Sequence, residues 1–177
     1  LPLATVREVH ELVEQHMMSA VDVRSIPTCL GKVVRALIPK SLASFGDSGA
    51  VPVFRIDKKI EKNRLGAYRR RISEAAAYSH LITDLYAAYA SAGTYDGQAI
   101  LASLADDYDR LVAREDDSLA VFDGLADVLL DRLADDAAVS DIPYEMRQRC
   151  VNIVLADAFM RCRIFEGPDL TVEGGWP

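Results

Sequence analysis

The chain has 177 residues, half of them hydrophobic and 27% charged, with a formal charge of −7. Those values describe one globular domain and exclude a disordered or collagen-like chain. No apolar run nears the roughly 20 residues of a membrane span, and overall acidity argues against indiscriminate coating of nucleic acid.

The opening, Leu1-Pro2-Leu3-Ala4-Thr5, has neither the basic nor the apolar region of a signal peptide and no initiator methionine. The chain therefore reads as a processed product or a piece of a longer protein. Thr5 to Glu8 form a capping box, and Val6, Val9, Val13, Met17 and Ala20 then repeat on one face of a first helix. Pro27-Thr28 ends that unit. Thr28 can cap a short second helix through Leu30, Val33, Val34, Leu37 and Ile38, with Pro39 disfavouring helical geometry at Ile38.

Gly46-Asp47-Ser48-Gly49 is the clearest break and the place for a hinge, and Val51 to Ile56 has an extended pattern that Pro52 confines to an edge. One long helix is expected over residues 65–92, closed by Gly93, with Leu65, Tyr68, Ile72, Ala75, Ser79, Ile82, Tyr86 and Tyr89 on one seam. Ile100, Leu101, Leu104, Tyr108, Leu111 and Val112 mark a further helix. Ser118, or an Asp just before it, caps the next, which turns Leu119, Phe122, Ala126, Leu129 and Leu133 inward.

Asp141-Ile142-Pro143 reads as a cap followed by an early proline. From Cys150 to Phe165 apolar residues surround the helix axis, the mark of a helix buried on most sides, and Gly167-Pro168 stops it. The expectation is an all-α, irregular bundle of about six helices with a loop or short extended segment near residues 46–56. Residues 1–45 make an N-terminal helical segment, either a linker or part of the same fold. Residues 46–177 make a helical interaction domain.

Cys29, Cys150 and Cys162 are too few and too widely spaced for a disulfide framework or a zinc knuckle, so buried thiols in a reducing cytoplasm are expected. Charge is unevenly spread. Arg55 to Arg71 carries eight basic residues (Arg55, Lys58, Lys59, Lys62, Arg64, Arg69, Arg70, Arg71) against two acidic ones, a net of +6. Asp96 to Asp141 carries thirteen acidic residues against three basic ones, a net of −10. A chain divided in this way can self-associate or dock a protein partner electrostatically.

Candidate chemistry is sparse. Gly46-Asp47-Ser48-Gly49 imitates a serine-protease loop, but that chemistry needs a His base and a buried Asp in a β-barrel frame. His10, Glu14 and His16 lack the Glu-x-x-His turns of bundle metal sites. No phosphate loop or dinucleotide fingerprint occurs, so no catalytic residue, metal or cofactor is assigned. The basic segment Arg55 to Arg71 has only Tyr68 as an aromatic, and nucleic-acid modules usually add stacking residues, so a solvated or protein-contacting face ranks above a phosphate-binding one. Asp157 and Arg161, at i and i+4 with the acid first and apolar neighbours all around, read as a structural ion pair.

Two stretches carry a family resemblance: Ile56-Asp57-Lys58-Lys59-Ile60-Glu61-Lys62-Asn63-Arg64-Leu65 with Tyr68, and Cys150 to Phe165 with Asp157, Phe159 and Arg161. Together they make the chain resemble, over about residues 54–168, the C-terminal domain of effector proteins in ABC three-component systems. The resemblance implies a domain fused behind an effector, often a nuclease, and encoded beside a small middle component and an ABC-type ATPase. Such systems are inferred to act in biological conflict, such as defence against phage. The resemblance transfers no catalytic residue, and residues 1–50 are too short to be a nuclease. The functional expectation is a non-catalytic coupling module with protein partners. Its rival is a helical nucleic-acid-binding domain using Arg55 to Arg71.

Overall fold

A computed structural model describes residues 8, 23–41, 54–55, 62–89, 97–115, 117–161 and 165–166. Among these residues lie seven α-helices: α1 (residues 23–41), α2 (Lys62–Ala77), α3 (Ser79–Ala87), α4 (Gln98–Ala102), α5 (Ala105–Arg114), α6 (Ser118–Leu133) and α7 (Tyr144–Arg161). A 3-10 turn at Ala137–Val139 and two-residue strands β1 (Phe54–Arg55) and β2 (Phe165–Glu166) complete them. The fold is an all-α bundle. Among the described residues no helix is long and apolar enough to cross a membrane.

The centre of the bundle is α7. From Cys150 to Phe159 every residue except Asn152 is buried, because α2, α4 and α6 all pack against this helix. Burying one Leu, Ile or Phe side chain contributes about 1.5–3 kcal/mol, so the run Val151, Ile153, Val154, Leu155 and Phe159 is the main hydrophobic anchor. Phe159 meets Phe122 of α6 with ring centroids 6.3 Å apart and planes tilted by 42°. Ile26, Leu30, Val33, Val34, Leu37 and Ile38 of α1 belong to the same core cluster.

Several boundaries differ from the sequence reading. Residues 23–41 are helical through both Pro27 and Pro39, so Thr28 does not begin a new helix. A mid-helix proline costs about 3 kcal/mol, which burial of Leu37 and Ile38 beside Pro39 offsets. The expected helix over 65–92 is divided at Tyr78, whose φ of −107° and ψ of 7° leave the helical range. Thr83 Oγ1 and Arg161 Nη2 both donate to the carbonyl of Ser79, just past that break.

The helix expected through Ile100 and Val112 is likewise two, α4 and α5, and Val112 is 49% exposed instead of inward. Arg132 holds the turn between them, donating to Ser103 Oγ at 2.7 Å and to the Ser103 carbonyl at 2.9 Å. Asp117 does cap α6, accepting from the Leu119 amide at 3.0 Å. Asp141 does not cap α7. Its carboxylate meets Lys32 Nζ at 2.9 Å, and the Arg147 amide donates to the Pro143 carbonyl instead.

The described part of α7 ends at Arg161, and Phe165 lies in β2, so the central helix stops short of the expected Phe165. β2 pairs in parallel with β1, Phe54 opposite Phe165 and Arg55 opposite Glu166. A short apolar run reads alike as buried helix or strand, and only the distant partner decides. The capping box at Thr5, the repeat from Val9 to Ala20, the Gly46–Gly49 break and Gly93 lie outside the described residues.

Two glycines are required by geometry. Gly97 opens α4 at φ +86°, and a Cβ there would stand 3.2 Å from Tyr86 Oη. In α6, a Cβ on Gly124 would fall 2.6 Å from Leu111 Cδ2, so α5 and α6 approach too closely for a larger residue.

Candidate functional site

At the C-terminal end of α7 a charge is sealed into the core. Asp157 is 0% exposed, and its Oδ2 accepts from Arg161 Nε at 2.6 Å. Helical spacing alone places the two one turn apart. Arg161 then reaches from α7 to α3: its Nη2 donates to the Ser79 carbonyl at 2.7 Å and to Thr83 Oγ1 at 2.7 Å. Its guanidinium carbon also lies 5.5 Å from the centre of the Tyr86 ring.

Burial pushes the Asp157 carboxyl up to about 6, against the opposing pull of the Arg161 hydrogen bond and charge and of the Ser79 hydroxyl. Asp157 Oδ1 has no hydrogen-bond partner among the described residues. The cluster is a bolt between α3 and α7. Among the described residues it holds one carboxylate and one guanidinium, with no nucleophile–base pair.

The basic candidates are scattered. Arg55 lies in β1, and Lys62 and Arg64 lie in the first turn of α2; Lys58 and Lys59 fall outside the described residues. Arg69 and Arg70 are exposed on α2. Arg71 turns the other way, stacking 4.9 Å above the Phe122 ring and meeting Asp123 Oδ1 at 2.7 Å, which joins α2 to α6. Tyr68 completes that joint by donating to Ser118 Oγ at 2.7 Å. Of the three arginines whose side chains are described, Arg69 and Arg70 thus face the solvent and Arg71 a helix–helix seam.

The other candidates are bland. His80 is exposed on α3, while His10 and His16 lie outside the described residues. Cys29 and Cys150 form no disulfide, and burial raises the Cys150 thiol to about 12, far from a reactive thiolate. Among the described residues no three His, Cys, Asp or Glu side chains stand where they could share a metal ion.

Sequence reasoning passed over a second charged site, a groove of about 330 Å³ between α1 and the segment after α6. Lys32, Arg35 and Lys40 form one wall, Asp136 and Ala138 the other, with Ala36 and Pro39 between them. Lys40 Nζ meets Asp136 Oδ2 at 2.6 Å and donates to the Arg132 carbonyl at 2.8 Å, while Lys32 holds Asp141. The hydrogen bond from Lys40 holds the Asp136 carboxyl below the usual carboxylate range, and Lys32 does the same for Asp141. The spacing of Lys32, Arg35, Pro39 and Lys40 on one helical face was a visible signal. The acidic wall, about a hundred residues away in the chain, was not.

In comparison with known proteins, a family model described as C-terminal domain 10 of the ABC-three component (ABC-3C) systems matches residues 29–166. No curated protein and no solved structure matches the chain.

Proposed function

Because the chain belongs to the family of C-terminal domain 10 of the ABC-three component systems, we propose that it is a non-catalytic coupling module of such a system. It works in the cytoplasm, in defence against phage or a similar conflict, and binds protein partners, a small middle component and an ABC-type ATPase. The observation that carries this reading is how the charges are distributed. The charges on the central stretch of α7 are consumed internally by the bolt to α3, while α2 and α6 turn opposite charges outward. On α6, Asp123, Asp127 and Asp131 follow one another at i+4 spacing and are all exposed, and Arg69 and Arg70 are exposed on α2. Complementary charge steers encounter and selects partners more than it supplies raw affinity. A domain with a sealed centre and divided outer charge suits reversible docking.

The test is co-purification of the full chain with the products of neighbouring genes. Arg69→Glu/Arg70→Glu and Asp127→Lys should each reduce capture, and reduce it more at low salt, with circular dichroism unchanged. Capture that is indifferent to both variants, or absent at low ionic strength, would sink the reading.

Exposure of Arg69 and Arg70 also favours one rival, a nucleic-acid-binding domain. Its binding to single-stranded or duplex DNA would fall steeply with salt. No anisotropy change at about 50 mM salt eliminates it.

A further inference from the structure

The two walls of the groove beside α1 differ in the hydrogen-bonding capacity they have left. Lys32, Arg35, Ala36, Pro39 and Lys40 come from one face of α1, and Asp136 and Ala138 from the segment opposite, so three cations line it against one anion. The anion is already engaged. Asp136 Oδ1 accepts from the Ala138 amide at 2.9 Å, and Oδ2 accepts from Lys40 Nζ at 2.6 Å. Arg35 is exposed and makes no ion pair or hydrogen bond among the described residues. Lys32 meets Asp141 in a wet pair whose side chains are 38% and 66% exposed, and an ammonium has three hydrogens to donate. The groove has donors to spare and few acceptors, so its chemistry selects an anion.

We propose that this groove docks an acidic, extended segment of a protein partner, with one carboxylate of that segment on Arg35 and Lys32. A carboxylate matches the planar guanidinium through two parallel hydrogen bonds. Between the charges stand Ala36, Pro39 and Ala138, small uncharged residues against which another small residue can lie. Lys32 and Lys40 are eight residues apart on α1, about 12 Å along its axis, a span that about four extended residues cover. A basic segment would meet three like charges and an aspartate whose two oxygens are both taken. A nucleic-acid strand brings wide bases and a phosphate at every step, which suit neither a groove of about 330 Å³ nor its Asp136 wall.

The ion pairs from Lys32 and Lys40 join α1 to the opposite segment before anything docks, so binding has little left to order. The inference rests on the reading of the chain as a coupling module and deepens it by naming what one surface takes.

The experiment is fluorescence anisotropy with the full chain and a labelled peptide of alternating aspartate and alanine, about eight residues long, at about 50 mM salt. The peptide should bind, and its lysine–alanine counterpart should not. Arg35→Glu should raise the dissociation constant by about tenfold or more. Arg69→Glu/Arg70→Glu on α2 changes the net charge by twice as much, yet should leave the constant within about twofold. Circular dichroism reports that each variant is folded, as the exposure of these arginines leads one to expect. No binding up to about 1 mM protein, equal binding of the lysine peptide, or equal weakening by the two variants overturns the proposal. So does displacement of the peptide by an equal concentration of inorganic phosphate, which would assign the groove to a bare anion. A dimer in sedimentation velocity that Arg35→Glu dissolves would give it to a second copy and overturns the proposal too. Capture of neighbouring gene products by a chain that fails these tests would sink only this inference. A groove that passes them in a chain that captures none would sink only the coupling reading.

Discussion

Two carboxylates in this molecule meet a basic side chain at the same distance and respond in opposite ways. Asp157 stands 2.6 Å from Arg161, and Asp136 stands 2.6 Å from Lys40. Burial drives the Asp157 carboxyl up to about 6, whereas the Lys40 hydrogen bond draws Asp136 below its ordinary range. The difference is water. Asp157 is 0% exposed and pays the full desolvation of its charge, while the Asp136 and Lys40 side chains remain 20% and 37% exposed. An ion pair at good distance is thus no measure of stability until its burial is known. The sealed pair acts as a bolt and the wet pair as a wall.

The largest expected effect separates the two most sharply. Arg161→Ala leaves Asp157 buried beside Ser79 with no cation, which should cost about 3 kcal/mol at neutral pH, with protonation of the carboxyl capping the loss. For a chain of this length that is a fall of roughly 6–12 °C in Tm by calorimetry. A fall of a degree or two would mean that the pair is as wet as its counterpart.

Next comes pH. A carboxyl raised in the folded state binds protons more tightly folded than unfolded, so its contribution to stability is greatest below the ordinary range near 4. That contribution is lost as pH rises through about 6. The loss is about 3 kcal/mol at most, for a carboxyl carried from its ordinary value near 4 up to about 6. It should disappear in Asp157→Asn, measured as the difference in denaturant midpoint between the two proteins across pH 4 to 7. A difference that grows in the other direction would show the carboxylate to be stabilised by Arg161 more than it is penalised by burial. Asp157→Ala, which also opens a small void, should cost about 1–2 kcal/mol, while Asp106→Ala on the exposed face of α5 stays within about 0.5 kcal/mol. Equal shifts for those two would contradict the burial of Asp157.

The sealed pair could be read in the sequence because every cue was local. Asp157 and Arg161 are one turn apart, and the apolar residues on all sides of α7 announce its burial. The same locality explains what was missed. Beside the breaks at Tyr78 and Ser103, the carbonyls of Ser79 and Ser103 accept from Arg161 and Arg132, which reach across 82 and 29 residues. The helix through Pro27 and Pro39 survives because core contacts outweigh a local preference. The β1–β2 pair joins residues at opposite ends of the domain, so neither strand could be told from its own composition. The groove is the extreme case: Lys32 and Lys40 find Asp141 and Asp136 at separations of 109 and 96 residues.

The wet pair supplies the smallest effect and the opposite sign. Lys40→Ala removes the bond to Asp136 and the one to the Arg132 carbonyl, yet water can replace both, so the loss should be under about 1 kcal/mol. Because the Asp136 carboxyl is lowered in the folded state, whatever it contributes is present above the ordinary carboxylate range and fades as pH falls through its depressed folded value. In the starting protein this term makes stability fall on acidification, where the Asp157 term makes it rise. In Lys40→Ala most of that loss should be gone, only the part owed to the Ala138 amide remaining, so the variant should lose less stability than the starting protein on acidification below about pH 4. Parallel pH profiles for Lys40→Ala and the starting protein would show that the wall is held by something other than this pair.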